Sequence, residues 1–141
     1  MITLRAAPPE HYPWIAERAS LSLTREFRAI EAVDEDGILA MVGYDGWLPN
    51  CCSMHVAVER PFPARRFLRQ AFGIPFLESG RDIVVGWVLG TNRKALDLDR
   101  RLGFRETHRI RDGWEKGVDL VLFEMRRHEC RWIQERQRRA A

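Results

Sequence analysis

His55 and Glu59 are the residues whose types and spacing most readily move a proton. An imidazole titrates near pH 6.5 and can take a proton at neutral pH, and a carboxylate can do so through a water molecule. Both lie on or just after the apolar run Cys51–Val58, where the two-residue repeat of a strand sends positions 55 and 59 to the same face. The alternative, a histidine against a helix and a glutamate paired with an arginine, stays open. Cys51 and Cys52 read as packing rather than as nucleophiles, because no histidine and acid accompany them in a recognisable arrangement. With Cys130 far away, three cysteines make neither a disulfide framework nor a zinc site, so free thiols and no metal are expected.

Two further groups bear on binding. Arg65 and Arg66 open a helical pattern, Ala64–Leu77, and bring positive charge to a helix start, where anions bind well; the competing reading is an ordinary exposed pair. Asn92 is a good N-cap for a second helix, on which Ala95, Leu98 and Leu102 recur at spacings of three and four. Gly103 can end that helix in a left-handed conformation and send Phe104 into the core. Trp47, Trp87 and Trp114 are candidates to line an apolar acceptor pocket, with core packing as the alternative for the first two.

The elements that would position these groups follow from periodicity. A short apolar start at Ile2–Leu4 precedes a helix over Pro8–Ser20, then strands at Phe27–Val33, Ile38–Tyr44 and Cys51–Val58 form an antiparallel meander. Pro75 must disturb the last turn of the Ala64–Leu77 helix. Asp82–Leu89 is nearly continuously apolar, as in a strand buried on both faces. After the helix Asn92–Leu102 come strands at Phe104–Arg111 and Val118–Met125.

With 141 residues the chain suits one domain, read as residues 1–125, followed by a basic segment, 126–141, forming a short helix or a tail. That segment holds Arg126, Arg127, Arg131, Arg136, Arg138 and Arg139 against Glu129 and Glu135. No aromatic groove or nucleic-acid motif accompanies the charge, so a solvated helix end is expected rather than a nucleic-acid partner. No apolar run approaches the ~18–20 residues of a membrane span, and Met1–Pro9 lacks the apolar core of a secretory signal. A cytoplasmic location is the expectation.

Asn92–Phe104, NRKALDLDRRLGF, resembles the pattern Asn-x-x-Ala-x-x-Leu-Tyr-x-x-x-Gly-Phe of the GNAT superfamily of acetyl-CoA-dependent N-acetyltransferases, matching at Asn92, Ala95, Leu98, Gly103 and Phe104. The resemblance implies an α/β fold, a GNAT-like mixed, mostly antiparallel central sheet of about six to seven strands with helices on both faces. It implies that Cys51–Val58 and Asp82–Leu89 splay apart to admit acetyl-CoA, with Asn92 and Ala95 beside its pantetheine arm and a backbone amide of Val56, Ala57 or Val58 on the thioester oxygen. The implied reaction is direct attack of an amine of unknown identity, without a covalent enzyme intermediate or a metal, with His55 or Glu59 as base.

Two positions depart from the family. Asp99 stands where a tyrosine often protonates the departing thiolate; it can serve as that acid only if its site raises a pKa that is ordinarily about 3.9, and is otherwise a solvated carboxylate beside Arg100 and Arg101. The pyrophosphate loop, Arg60–Phe67 (RPFPARRF), has no glycine, and Pro61 and Pro63 remove amide donors, leaving Arg65 and Arg66 to supply charge. Met125–Trp132 (MRRHECRW) and Phe72–Arg81 (FGIPFLESGR) also resemble phage and prophage GNAT proteins, so that the similarity spans about half the chain, from Ala64 to Ile133. The second functional reading is therefore a catalytically inactive, phage-associated binding or virion protein. A homodimer through a sheet edge or the last strands, with Val118–Met125 as the candidate, is a further expectation.

Overall fold

Turn chemistry sets the first half of the chain. Gly37, with φ of 123°, and Asp34, whose side chain accepts from the Asp36 amide at 2.9 Å, close the hairpin between β2 (Arg28–Asp34) and β3 (Gly37–Asp45). β1 (Thr3–Ala6) pairs on the outer side of β2, and β4 (Cys51–Val58) pairs with β3, all antiparallel. Between β1 and β2 a single 3-10 turn, Pro9–His11, leads into α1 (Tyr12–Ala19), which Ser20 ends in the left-handed region. The computed structural model describes residues 1–139.

After β4, α2 (Arg65–Gly73) widens into a π turn over Ile74–Glu78. Pro75, which has no amide hydrogen to give to the α-helical ladder, sits in that turn and is buried with Phe76. β5 (Ile83–Leu89), α3 (Arg93–Leu102), β6 (Arg105–Glu115), β7 (Val118–Arg126) and α4 (Glu135–Arg139) complete the order. The sheet has seven strands in the order β1-β2-β3-β4-β5-β7-β6, and β4–β5 is its one parallel pair among the described residues.

Each face of the sheet has its own cover. On one face α1 lays Ile15 over Phe27, Ala29, Met41 and Ala57. Gly43 is required there, because a Cβ would sit 2.2 Å from the Phe27 ring. Deeper on that face Glu31 is fully buried, accepting from Arg5 Nε at 2.8 Å and facing His11 Nδ1 at 2.8 Å, so the charge is paired rather than stranded. On the opposite face α2 and α3 bury Phe67, Phe72, Leu96 and Leu102 against Val84, Phe123 and Met125.

The segment after β7 joins this second core, with Cys130 and Ile133 buried and the Trp132 indole nitrogen donating to the Leu102 carbonyl at 2.9 Å. β7 lies between β5 and β6, so the expectation that Val118–Met125 offers a free edge is corrected. The open edges are β1 and β6, and all eleven residues of β6 are exposed. Arg105, Glu106, Arg109, Arg111, Asp112 and Glu115 make that edge charged, which blunts unspecific pairing.

Candidate active site

β4 and β5 hold one another over three residues each, Cys51–Ser53 against Ile83–Val85. Past that point the strands part, and the β5-facing edge of Met54–Val58 has no strand partner. This gap between neighbouring strands opens a path from one face of the sheet to the other. Three adjoining cavities run through it. The largest, about 460 Å³, is bounded by the end of β4, the loop before α2, α3 and the segment around Trp132. A second of about 120 Å³ lies along Val56–Glu59, Arg18, Asn92 and Ala95, and a crevice of about 20 Å³ lies between His55, Trp87 and Asp99. Val56 lines all three.

His55 enters the crevice from the α1 face. It is 5% exposed, and its ring stacks on Phe27 at 6.5 Å and meets the edge of Trp87 at 5.9 Å. His55 Nε2 lies 3.0 Å from Asp45 Oδ1. An ionised carboxylate only accepts, so Nε2 carries the hydrogen and in neutral His55 the lone pair is on Nδ1. Trp87 stacks in turn on Trp114 of β6 at 5.9 Å and 22°. Trp47 lies elsewhere, tilted on Tyr44 and covered by Arg81.

Asp99 enters from the opposite face. It is one of the buried residues of α3 together with Leu96 and Leu102, while Ala95 and Leu98 flank that line and face the cavities. Asp99 Oδ2 lies 3.9 Å from where a Cβ on Gly86 would stand, so the carboxyl rests directly over β5 near the parting of the strands. Arg100 reaches Asp97 and Glu106 instead. Burial pushes the Asp99 pKa up to about 7, so that a protonated fraction persists at neutral pH. Asp99 is thus a buried carboxyl and not a solvated one.

The other predicted residues fall in separate places. Glu59 lines the two larger cavities but not the crevice, and its carboxylate accepts from Arg18 Nε at 3.1 Å, which holds its pKa below the ordinary value. Val56, Ala57 and Val58 border the gap, and Asn92 caps α3 by accepting from the Ala95 amide at 3.1 Å while both line the cavities. Arg65 and Arg66 are exposed and do not border the 460 Å³ cavity, whose basic lining is Arg60, Lys94, Arg101 and Arg131. Sequence reasoning missed these last residues and Asp45. Lys94 and Arg101 were accessible to it, since seven residues bring a helix back to the same face beside Leu98. For Arg131 and Asp45 the contacts come from distant chain segments, and no local signal exists.

No protein-family model matches the sequence, and no curated protein matches it. Solved structures do. The spermidine/spermine N-acetyltransferase SpeG of Vibrio cholerae superposes with a TM-score of 0.67 at 14% identity, over 90% of this chain and 93% of that one. A protein provisionally assigned as a phosphinothricin N-acetyltransferase gives 0.65 at 15% identity, over 89% and 98%. The Vibrio cholerae spermidine N-acetyltransferase in a dodecameric, intermediate state gives 0.66 at 13%, over 90% and 94%. The chain therefore has the GNAT N-acetyltransferase fold over nearly its whole length. Among its described residues no helix is long and apolar enough to cross a membrane.

Proposed function

We propose that the chain transfers an acetyl group from acetyl-CoA to an amine by direct attack. The observation that carries this reading is that His55 and Asp99 reach one crevice from opposite faces of the sheet, where β4 and β5 part. An apolar channel leading to that crevice, with cations at its outer part, suits a thioester arm ending in phosphates. The fold neighbours are named for acetyl transfer to spermidine and to phosphinothricin, which agrees with an amine acceptor.

In this mechanism Nδ1 of His55, its ring fixed by Asp45, takes the proton of the acceptor ammonium. The freed amine nitrogen bonds to the thioester carbon, and the carbonyl oxygen is met by a backbone amide of Val56, Ala57 or Val58, groups already fixed in β4 and costing no reorganisation. When the carbon–sulfur bond breaks, the sulfur receives the proton of Asp99. His55 is then protonated and Asp99 ionised; the nitrogen sheds its second proton through water to Asp99, and His55 gives the first to solvent, so each turnover restores both groups and releases one proton. Glu59 is a poor base in comparison, because Arg18 stabilises its ionised form. A homodimer formed along the sheet would use β6 or β1, the two open edges.

The glycine-free loop favours a second reading, a GNAT fold kept as a phage-associated binding or virion protein. Thermal unfolding with acetyl-CoA separates the two, since a ligand at one hundred times its dissociation constant adds about 2.7 kcal/mol. A clear rise in Tm, followed by thiol release with an amine from a panel that includes spermidine, is the expected result. No shift at millimolar acetyl-CoA overturns the transferase reading.

A further inference from the structure

We infer that the phosphates of coenzyme A are held by side-chain cations, Lys94 and Arg101 of α3 and Arg131 of the C-terminal segment, instead of by the backbone amides that open α2. This rests on the acetyl-CoA reading above and concerns which of this chain's residues take the cofactor's charged end.

The 460 Å³ cavity has an apolar body that includes Val58, Phe62, Phe67, Leu98 and Trp132, and a rim of charge. Two of the rim charges are already satisfied. Arg60 donates to Asp34 at 3.2 and 2.9 Å, and Glu59 accepts from Arg18. Among the described residues Lys94, Arg101 and Arg131 have no carboxylate within ion-pair distance. With Glu59, the one carboxylate in the lining, bonded to Arg18, these cations leave the cavity net positive, and a polyanion would relieve their mutual repulsion. A ligand with an apolar arm, a purine and several phosphates has the matching chemistry.

The placement is held by contacts within the chain. Lys94 and Arg101 are seven residues apart on α3, about 10 Å along its axis and on one face. Arg131 donates to the Arg101 carbonyl, and its guanidinium lies 4.5 Å from the centre of the Trp132 ring, whose indole nitrogen is tied to Leu102. The C-terminal segment thus clamps the end of α3 and supplies one wall of the cavity. The amide alternative is poorly equipped here. Pro61 and Pro63 have no donors, and Arg65 and Arg66 at the start of α2 are exposed and do not line the cavity.

Isothermal titration of the whole chain with coenzyme A, dephospho-coenzyme A and pantetheine tests this. Lys94→Gln, Arg101→Gln and Arg131→Gln should each weaken coenzyme A about tenfold, and the triple variant at least a hundredfold, while pantetheine binding stays within threefold. The last measurement reports that the apolar arm's site still folds. Arg65→Gln/Arg66→Gln should stay within twofold, and Arg131→Lys should recover most of the loss at that position. A triple variant that binds coenzyme A within threefold of the parent, or a larger loss in the Arg65/Arg66 variant, overturns the inference and leaves the transferase reading standing. If the parent chain binds neither coenzyme A nor pantetheine, both fall.

Discussion

Replacing Asp99 with asparagine should make the protein more stable in base and nearly inactive. In the unfolded chain this carboxyl ionises at its ordinary pKa of 3.8, and in the folded protein burial moves that to about 7. Below pH 3.8 both states are protonated, and the aspartate costs nothing. From there to pH 7 the unfolded chain releases the proton and the folded one keeps it, so stability falls by about 1.4 kcal/mol per pH unit and then levels off. The full loss is about 4 kcal/mol for a shift from 3.8 to about 7. Asparagine matches the shape of the protonated side chain and does not titrate. Urea denaturation of both proteins from pH 4 to 8.5 should show a difference that opens in favour of Asp99→Asn from pH 4 upward and levels off above pH 7. In parallel, kcat should fall about a hundredfold or more with KM for acetyl-CoA unchanged, since the thiolate has lost its acid. The parent's kcat should decline above pH 7. A stability difference that is the same at pH 4 and pH 8 would refute the desolvation argument. A kcat within threefold of the parent would remove Asp99 from the chemistry.

The partnership of His55 and Asp45 predicts non-additive losses: His55→Ala should lower kcat by about a hundredfold and Asp45→Ala by about tenfold, with the double variant no worse than His55→Ala. Multiplying losses in steady-state assays would show that Asp45 acts independently of the imidazole. Gly43→Ala should destabilise the fold by about 1–3 kcal/mol in urea, because the added methyl meets the fully buried Phe27 ring at 2.2 Å and that ring stacks on His55. The same variant should lose activity in excess of its unfolded fraction at 25 °C, and activity that simply tracks the folded fraction would separate Phe27 from the site.

Features decided within a few residues of chain were legible, and those decided across the sheet were not. Asn92 and Gly103 bound α3 as their types demanded, since a cap is a contact with the next three residues and a left-handed φ is a property of one residue. Pro75 broke α2 for the same local reason. The inner line of α3 was harder to place. Spacing gave Ala95, Leu98 and Leu102, whereas the line pressed on the sheet is Leu96, Asp99 and Leu102 with the other two at its flank, because apolar type alone does not rank a charged residue among the buried ones. The arginine-rich composition of residues 126–139 reads as solvated, yet Cys130 and Ile133 are core and Arg131 lies over Trp132 with its charge at the cavity.

Asp99 shows why such non-local information matters for function. Judged by residue type, an aspartate in place of a tyrosine is the wrong acid and argues for lost catalysis. Its acidity is set by what surrounds it, the burial of the carboxyl over the face of β5 that Gly86 leaves bare. That burial brings the carboxyl to about 7, where it can give up a proton at neutral pH as a tyrosine with an ordinary pKa near 10 does less readily. The substitution and the desolvated site make sense as a pair. An aspartate there with solvent access would be inert as an acid, and a buried carboxyl with no proton to deliver would be a cost of folding with no return.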